Sequence, residues 1–109
     1  MAYDEHLAER MRAVIPGDPA HDEKKMLGGI AFFCHGNIAC GVNRDNMIVR
    51  VGPDAYEAAL AEDHVKEFDI TGRPMTGWVE VAPAAFEDET DLEAWIERGY
   101  AFARSLPPK

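Results

Sequence analysis

Three short apolar runs joined by tight polar connections, with an amphipathic stretch at each end of the chain, predict an α+β fold. The architecture expected is an antiparallel sheet of about five strands with helices packed on it, in the order α-β-β-β-α-β-β-α. Length agrees with one domain over residues 1–109, enough for a single core.

The first helix is expected over residues 3–15. Tyr3, Leu7, Met11, Val14 and Ile15 recur at helical spacing, and Pro16-Gly17 stops the run. Residues 16–25, PGDPAHDEKK, read as a polar connection. Strands follow at IAFFC (30–34), IACGV (38–42) and MIVRV (47–51), rich in β-branched and aromatic residues. His35-Gly36-Asn37 and Arg44-Asp45 separate them, and connections so short force antiparallel neighbours. Pro53 opens a second helix to about His64, because its missing N–H is harmless in a first turn. EFDIT (67–71) and GWVEV (77–81) alternate as strands around the turn GRPMT. The last helix carries a capping box at Thr90 and Glu93, and Leu92, Trp95, Ile96, Gly99, Phe102, Ala103 and Leu106 share its apolar stripe. Gly99 costs that helix about 1 kcal/mol relative to alanine, so its place on the stripe points to close approach to the sheet.

Twenty acids against eleven bases give a net charge of −9. Nucleic-acid binders gain most of their affinity by neutralising phosphates. Here the bases are scattered, the densest pair being Lys24-Lys25, so no direct nucleic-acid binding is expected. The acidic balance favours solubility or a protein partner with a basic surface. No apolar stretch approaches the roughly 18 residues of a membrane span, and MAYDEHLAERMRAV lacks the apolar core of a signal peptide. A cytoplasmic location without membrane contact is the expectation, and two reduced thiols suit it.

MLGGIAFFCHGNIACGV (26–42) gathers Cys34, His35 and Cys40, and its chemistry turns on strand parity. With a two-residue turn at His35-Gly36 or Gly36-Asn37, Cys34 and Cys40 fall on opposite faces. They then share neither a disulfide nor a metal unless a bulge or an odd-length loop intervenes. With Arg44-Asp45 turning the next hairpin, Val42 faces Met47, Cys40 faces Val49 and Ile38 faces Val51. Cys40 becomes a small hydrophobe in that apolar face. Cys34 would share the other face with Phe32, Ala39, Gly41, Ile48 and Arg50. A nucleophilic thiol needs a base or a cationic setting, and His35 points to the opposite face of the strand. The spacing lacks the paired short intervals of structural zinc sites, and His6, His21 and His64 are scattered. No phosphate-binding glycine loop or nucleophile elbow is present. Gly28-Gly29 reads as a sheet entrance, and the acids of FEDETDLEAWIE suit a helix N-terminus. The sequence therefore names no catalytic, metal or cofactor-binding residue.

MLGGIAFFCHGNIACGVNRDNMIVRVG (26–52) resembles the start of the TfoX/Sxy N-terminal domain family, with its Met-x-Gly-Gly motif and a strand ending Arg-Val-Gly. GRPMTGWVEVAPAAFEDETDLEAWIERGYAFA (72–103) is similar to that family's Pro-Met segment, aromatic-Glu-Val strand and closing helix. The resemblance covers about residues 10–105. It implies a compact α/β domain in which Met26, Gly28, Gly29, Gly36, Arg50, Gly52, Pro74 and Met75 are architectural. Full-length members carry a C-terminal domain and regulate competence genes with a cyclic-AMP-dependent activator. With Lys109 the last residue, a stand-alone N-terminal domain is expected. The functional expectation is a small non-catalytic regulatory or protein-interaction module. Phe32, Cys34, Ile48, Arg50 and Trp78 are its candidate surface for a partner or a second copy. The alternative is a thiol-dependent enzyme or redox sensor using Cys34.

Overall fold

The structure is a computed structural model and describes residues 3–15, 21–26, 29–69 and 72–108. Its elements are α1 (Glu5–Val14), β1 (His21–Met26), β2 (Gly29–Cys34), β3 (Asn37–Asn43), β4 (Asn46–Arg50), α2 (Tyr56–Leu60), β5 (Val65–Asp69), β6 (Pro74–Val81), a 3-10 turn (Pro83–Ala85) and α3 (Glu89–Ser105). All six strands join one antiparallel sheet in the order β1-β2-β3-β4-β6-β5. The α+β class holds, with one strand more than expected.

That strand is β1, which lies within the stretch expected to be a polar connection. HDEKKM carries no apolar alternation because it is an edge strand, paired only with β2. Charged side chains on such an edge discourage further strands from adding to it. The first two helices are shorter than their hydrophobic spacing suggests. Asp4 caps α1, its carboxylate accepting from the backbone N–H of His6 and Leu7 at 2.9 and 3.3 Å. Tyr3 instead bridges to Arg44. Pro53 begins a turn, and only Tyr56–Leu60 is helical. The N-cap of α3 is Asp88, with Thr90 inside the first turn. The expected stop at Pro16-Gly17, the entrance residue Gly28 and strand positions 70–71 lie outside the described residues.

One face of the sheet is covered by the helices. Its side chains, among them Phe32, Val42, Met47, Val49, Val79 and Val81, form one core with Leu7 and Met11 of α1, Tyr56 and Ala59 of α2, and Leu92, Ile96 and Tyr100 of α3. Arg10 ties α1 to the start of α3, donating to the Phe86 carbonyl at 2.9 Å and to Glu89 at 3.0 Å. At the other end of α3, buried Asn37 donates from its amide to the Pro107 carbonyl at 3.0 Å.

The β2–β3 hairpin departs from simple parity. Its turn is His35-Gly36, with Cys34 opposite Asn37, one of the two expected registers. Phe33 then pairs with Ile38, but Phe32 pairs with Cys40, so simple alternation fails at Ala39, which is the extra residue of a β-bulge. Beyond the bulge the register with β4 is as expected, Val42 on Met47 and Cys40 on Val49. The bulged segment receives α3. A Cβ on Gly99 would lie 2.3 Å from the Ala39 carbonyl oxygen, a contact with backbone that a side chain cannot relieve by rotating.

Gly99→Ala is therefore expected to destabilise the domain by about 2 kcal/mol, overpacking outweighing the roughly 1 kcal/mol of helix propensity that alanine adds. Urea denaturation of the two proteins measures it. A variant more stable than wild type would show that α3 does not touch the sheet at Gly99.

Candidate functional site

The sheet has a second face, which no helix among the described residues covers. The bulge decides which side chains reach it. Phe32 and Cys34, expected there, are instead on the helix-covered face at 2% and 1% exposure. Ala39 also turns inward into the core, whereas Ile38 turns outward opposite Phe33. Ile48, Arg50 and Trp78 remain on the second face, paired across β4 and β6 as Ile48 with Glu80 and Arg50 with Trp78. The structure thus brings together three of the five candidate residues and separates two.

Around Ile48 and Trp78 the sheet forms an open groove of about 520 Å³. Its floor is Ala31, Gly41 and Ile48, and Phe68, Met75 and Trp78 form an apolar wall. Phe68 and Trp78 meet with ring centroids 6.3 Å apart. Met75, at 37%, is the large hydrophobic residue most exposed among those described. Simple alternation would send Met75 to the helix side with Val79. Gly77, at φ +92°, breaks the alternation, and its carbonyl accepts from both Val51 and Gly52 N–H. The PMTG stretch contains no period that signals this.

Arg50 closes the end of this face. Its guanidinium lies 5.1 Å from the Trp78 ring and 5.3 Å from the Phe102 ring, held between two aromatic planes. Gly52, at φ +88°, leaves room for Phe102, since a Cβ there would meet the ring at 2.5 Å. The acids on the face are engaged internally: Glu80 accepts from the Asn46 amide, and Asp69 accepts from the Gly72 N–H at 2.6 Å.

Cys34 and Cys40 now share the core face, and both are free thiols. The expectation that parity separates them fails because of the bulge at Ala39, the exception that parity itself allows. His35 sits exposed in the turn at φ +50°. No group of three or more metal-ligating side chains occurs among the described residues. Burial pushes the Cys40 thiol well above its ordinary value. Burial, then the neighbouring Cys40 and Cys34, push the Tyr100 phenol up as well. This setting disfavours a thiolate, the nucleophilic form.

Folding therefore favours protonated Cys40. Its contribution is complete below the unfolded thiol's pKa of about 8.5 and is lost as pH rises beyond it, by at most about 1.4 kcal/mol per pH unit. Denaturation at about pH 7.5 and about pH 9.5, bracketing that value, should show a loss in wild type that Cys40→Ala reduces. Equal losses in both proteins would contradict the buried thiol.

Among the described residues no helix is long and apolar enough to cross a membrane. Comparisons with curated proteins and with solved structures gave no match. A family profile described as the TfoX N-terminal domain matches residues 19–103, from the edge strand β1 through nearly all of α3. The chain, of 109 residues, belongs to the TfoX N-terminal domain family.

Proposed function

We propose that this domain is a non-catalytic, partner-binding regulatory module that docks through the sheet face opposite its helices. The observation that carries this reading is the apolar groove around Ile48 and Trp78, on a face that the chain's own helices leave uncovered. An antiparallel sheet commonly packs one face on the core and leaves a polar face to solvent. Here exposed Met75 and half-buried Trp78 line a recess over Ile48 and Phe68, which at 6% and 8% exposure are largely covered by their neighbours. Such aromatic and methionine side chains are ones that interface cores favour. Arg50, fixed by its two rings, adds a charged group whose position costs little further ordering on binding. The regulatory part of the reading comes from the family, whose longer members control competence genes.

Two other readings have less support. A thiol-dependent activity through Cys34 needs an accessible thiolate, and Cys34 is buried beneath the helices. Direct nucleic-acid binding is disfavoured by the net charge of −9, and gel shifts of the isolated domain at low salt are expected to be negative.

The double variant Ile48→Ser/Trp78→Ala tests the docking face. Both side chains sit on the face away from the main core, so the variant should keep a cooperative thermal transition. It is expected to lose proteins that co-purify stoichiometrically with the tagged wild-type domain from its native cells. A folded variant that recovers the same proteins in the same yield would remove the docking role.

A further inference from the structure

The charges on the second face are distributed unlike those of the whole chain. Every ion pair among the described residues is made by an arginine of α1 or α3: Arg10 with Glu89, Arg12 with Glu9 and Glu23, Arg98 with Glu62, Arg104 with Glu97. On the groove side the pattern reverses. Arg44 and Lys66 line the groove, and Arg50 stands beside it on Trp78. None of these three has a carboxylate within ion-pair distance among the described residues. The two groove acids, Glu80 and Asp69, already accept from Asn46 and Gly72. Lys66 stands directly across the ladder from Glu80 without pairing to it. Of the six described bases that make no ion pair, Arg44 and Lys66 line this groove and Arg50 stands beside it, while Lys24, Lys25 and Arg73 are not part of its lining.

The shape narrows the occupant further. The lining residues come from five adjacent strands, β2 through β5 in sheet order. At about 4.8 Å per strand the groove spans roughly 19 Å across the strands. An extended peptide pairs with a sheet edge, where backbone groups are free, whereas a face offers only side chains. A helix of about 13 residues has the length of the groove. The small floor residues Ala31 and Gly41 let a helix approach closely.

From this geometry we infer that the groove receives an amphipathic helix of a partner protein whose polar flank is acidic, its apolar stripe on Ile48, Phe68, Met75 and Trp78 and its carboxylates on Arg44, Arg50 and Lys66. The inference rests on the docking reading above and adds the partner's chemistry. It runs against net charge, which taken alone favours a basic partner. At physiological salt the Debye length is about 8 Å, so the local balance decides, and there the three cations Arg44, Arg50 and Lys66 exceed the two acids Asp69 and Glu80 by one.

Three acetylated and amidated probe peptides of about 14 residues, roughly 21 Å as helices, test it. All share leucines at helical spacing, and their polar flank is glutamate, glutamine or lysine. Binding is followed at physiological salt by ¹H–¹⁵N correlation spectra of the whole chain. The glutamate peptide is expected to bind at least about tenfold more tightly than the lysine peptide, a difference of about 1.4 kcal/mol, shifting the Trp78 indole and the Gly41 and Ile48 amides. Arg44→Glu/Lys66→Glu, both exposed positions, should reverse the order. Equal binding of all three peptides with shifts in the groove would overturn the acidic preference and leave the docking reading intact. Tighter binding of the lysine peptide, shifts confined to other surfaces, or no binding at all would overturn the inference. So would a dimer in sedimentation that Trp78→Ala dissolves, because a second copy would then fill the groove.

Discussion

The layers of this domain meet at the seat of α3 on β3, where Gly99 faces the Ala39 carbonyl with no room for a side chain. Two sequence features meet there. Glycine removes the Cβ that would hold helix and sheet apart, and the bulge at Ala39 supplies the extra residue against which the helix rests. Neither is useful alone. A glycine within a helix costs stability, and an unpaired strand residue disrupts the ladder. Together they let Leu92, Trp95, Ile96 and Tyr100 reach a core that α1 and α2 complete.

The same bulge sorts the chemistry of the chain. By inserting one residue into β3 it brings Cys34 and Cys40 to the same side, beneath α3 and beside Tyr100, and turns Ile38 outward. Of the reactive-looking cluster of the sequence, Cys34 and Cys40 become buried thiols and His35 stays exposed in the turn. On the opposite face aromatic and aliphatic side chains line a recess and Arg50 is pinned by two rings. Charge follows the same division. The arginines of the helices are occupied by acids, and those of the sheet face are not. Net charge alone therefore does not describe the proposed docking face.

Most of the architecture was legible because it rests on local rules. Alternation identified five of the six strands, and the pairing of Val42 with Met47 and Cys40 with Val49 followed from the Arg44-Asp45 turn. Gly99 on an apolar stripe announced a close helix–sheet contact, which the structure contains. β1 was illegible because an edge strand of charged residues has no apolar period to read. The bulge was illegible because Ile-Ala-Cys reads equally well with either residue turned inward, and only packing under α3 decides. Phe32 and Cys34 left the candidate surface for that reason, while Ile48, Arg50 and Trp78 kept their places because the β4–β6 ladder is regular there. Met75 joined the groove through the irregularity at Gly77, which no pattern of the chain encodes.

The account depends on β3 being bulged at Ala39 and gripped there by Gly99. Interproton distances from a nuclear Overhauser spectrum of the labelled chain test this directly. The account predicts backbone contacts of Phe32 with Cys40 and of Phe33 with Ile38, together with a contact between the Gly99 α-protons and the Cys40 β-protons. An unbroken ladder, with Cys40 opposite Phe33 or Ala31 and no contact between Gly99 and Cys40, would contradict it.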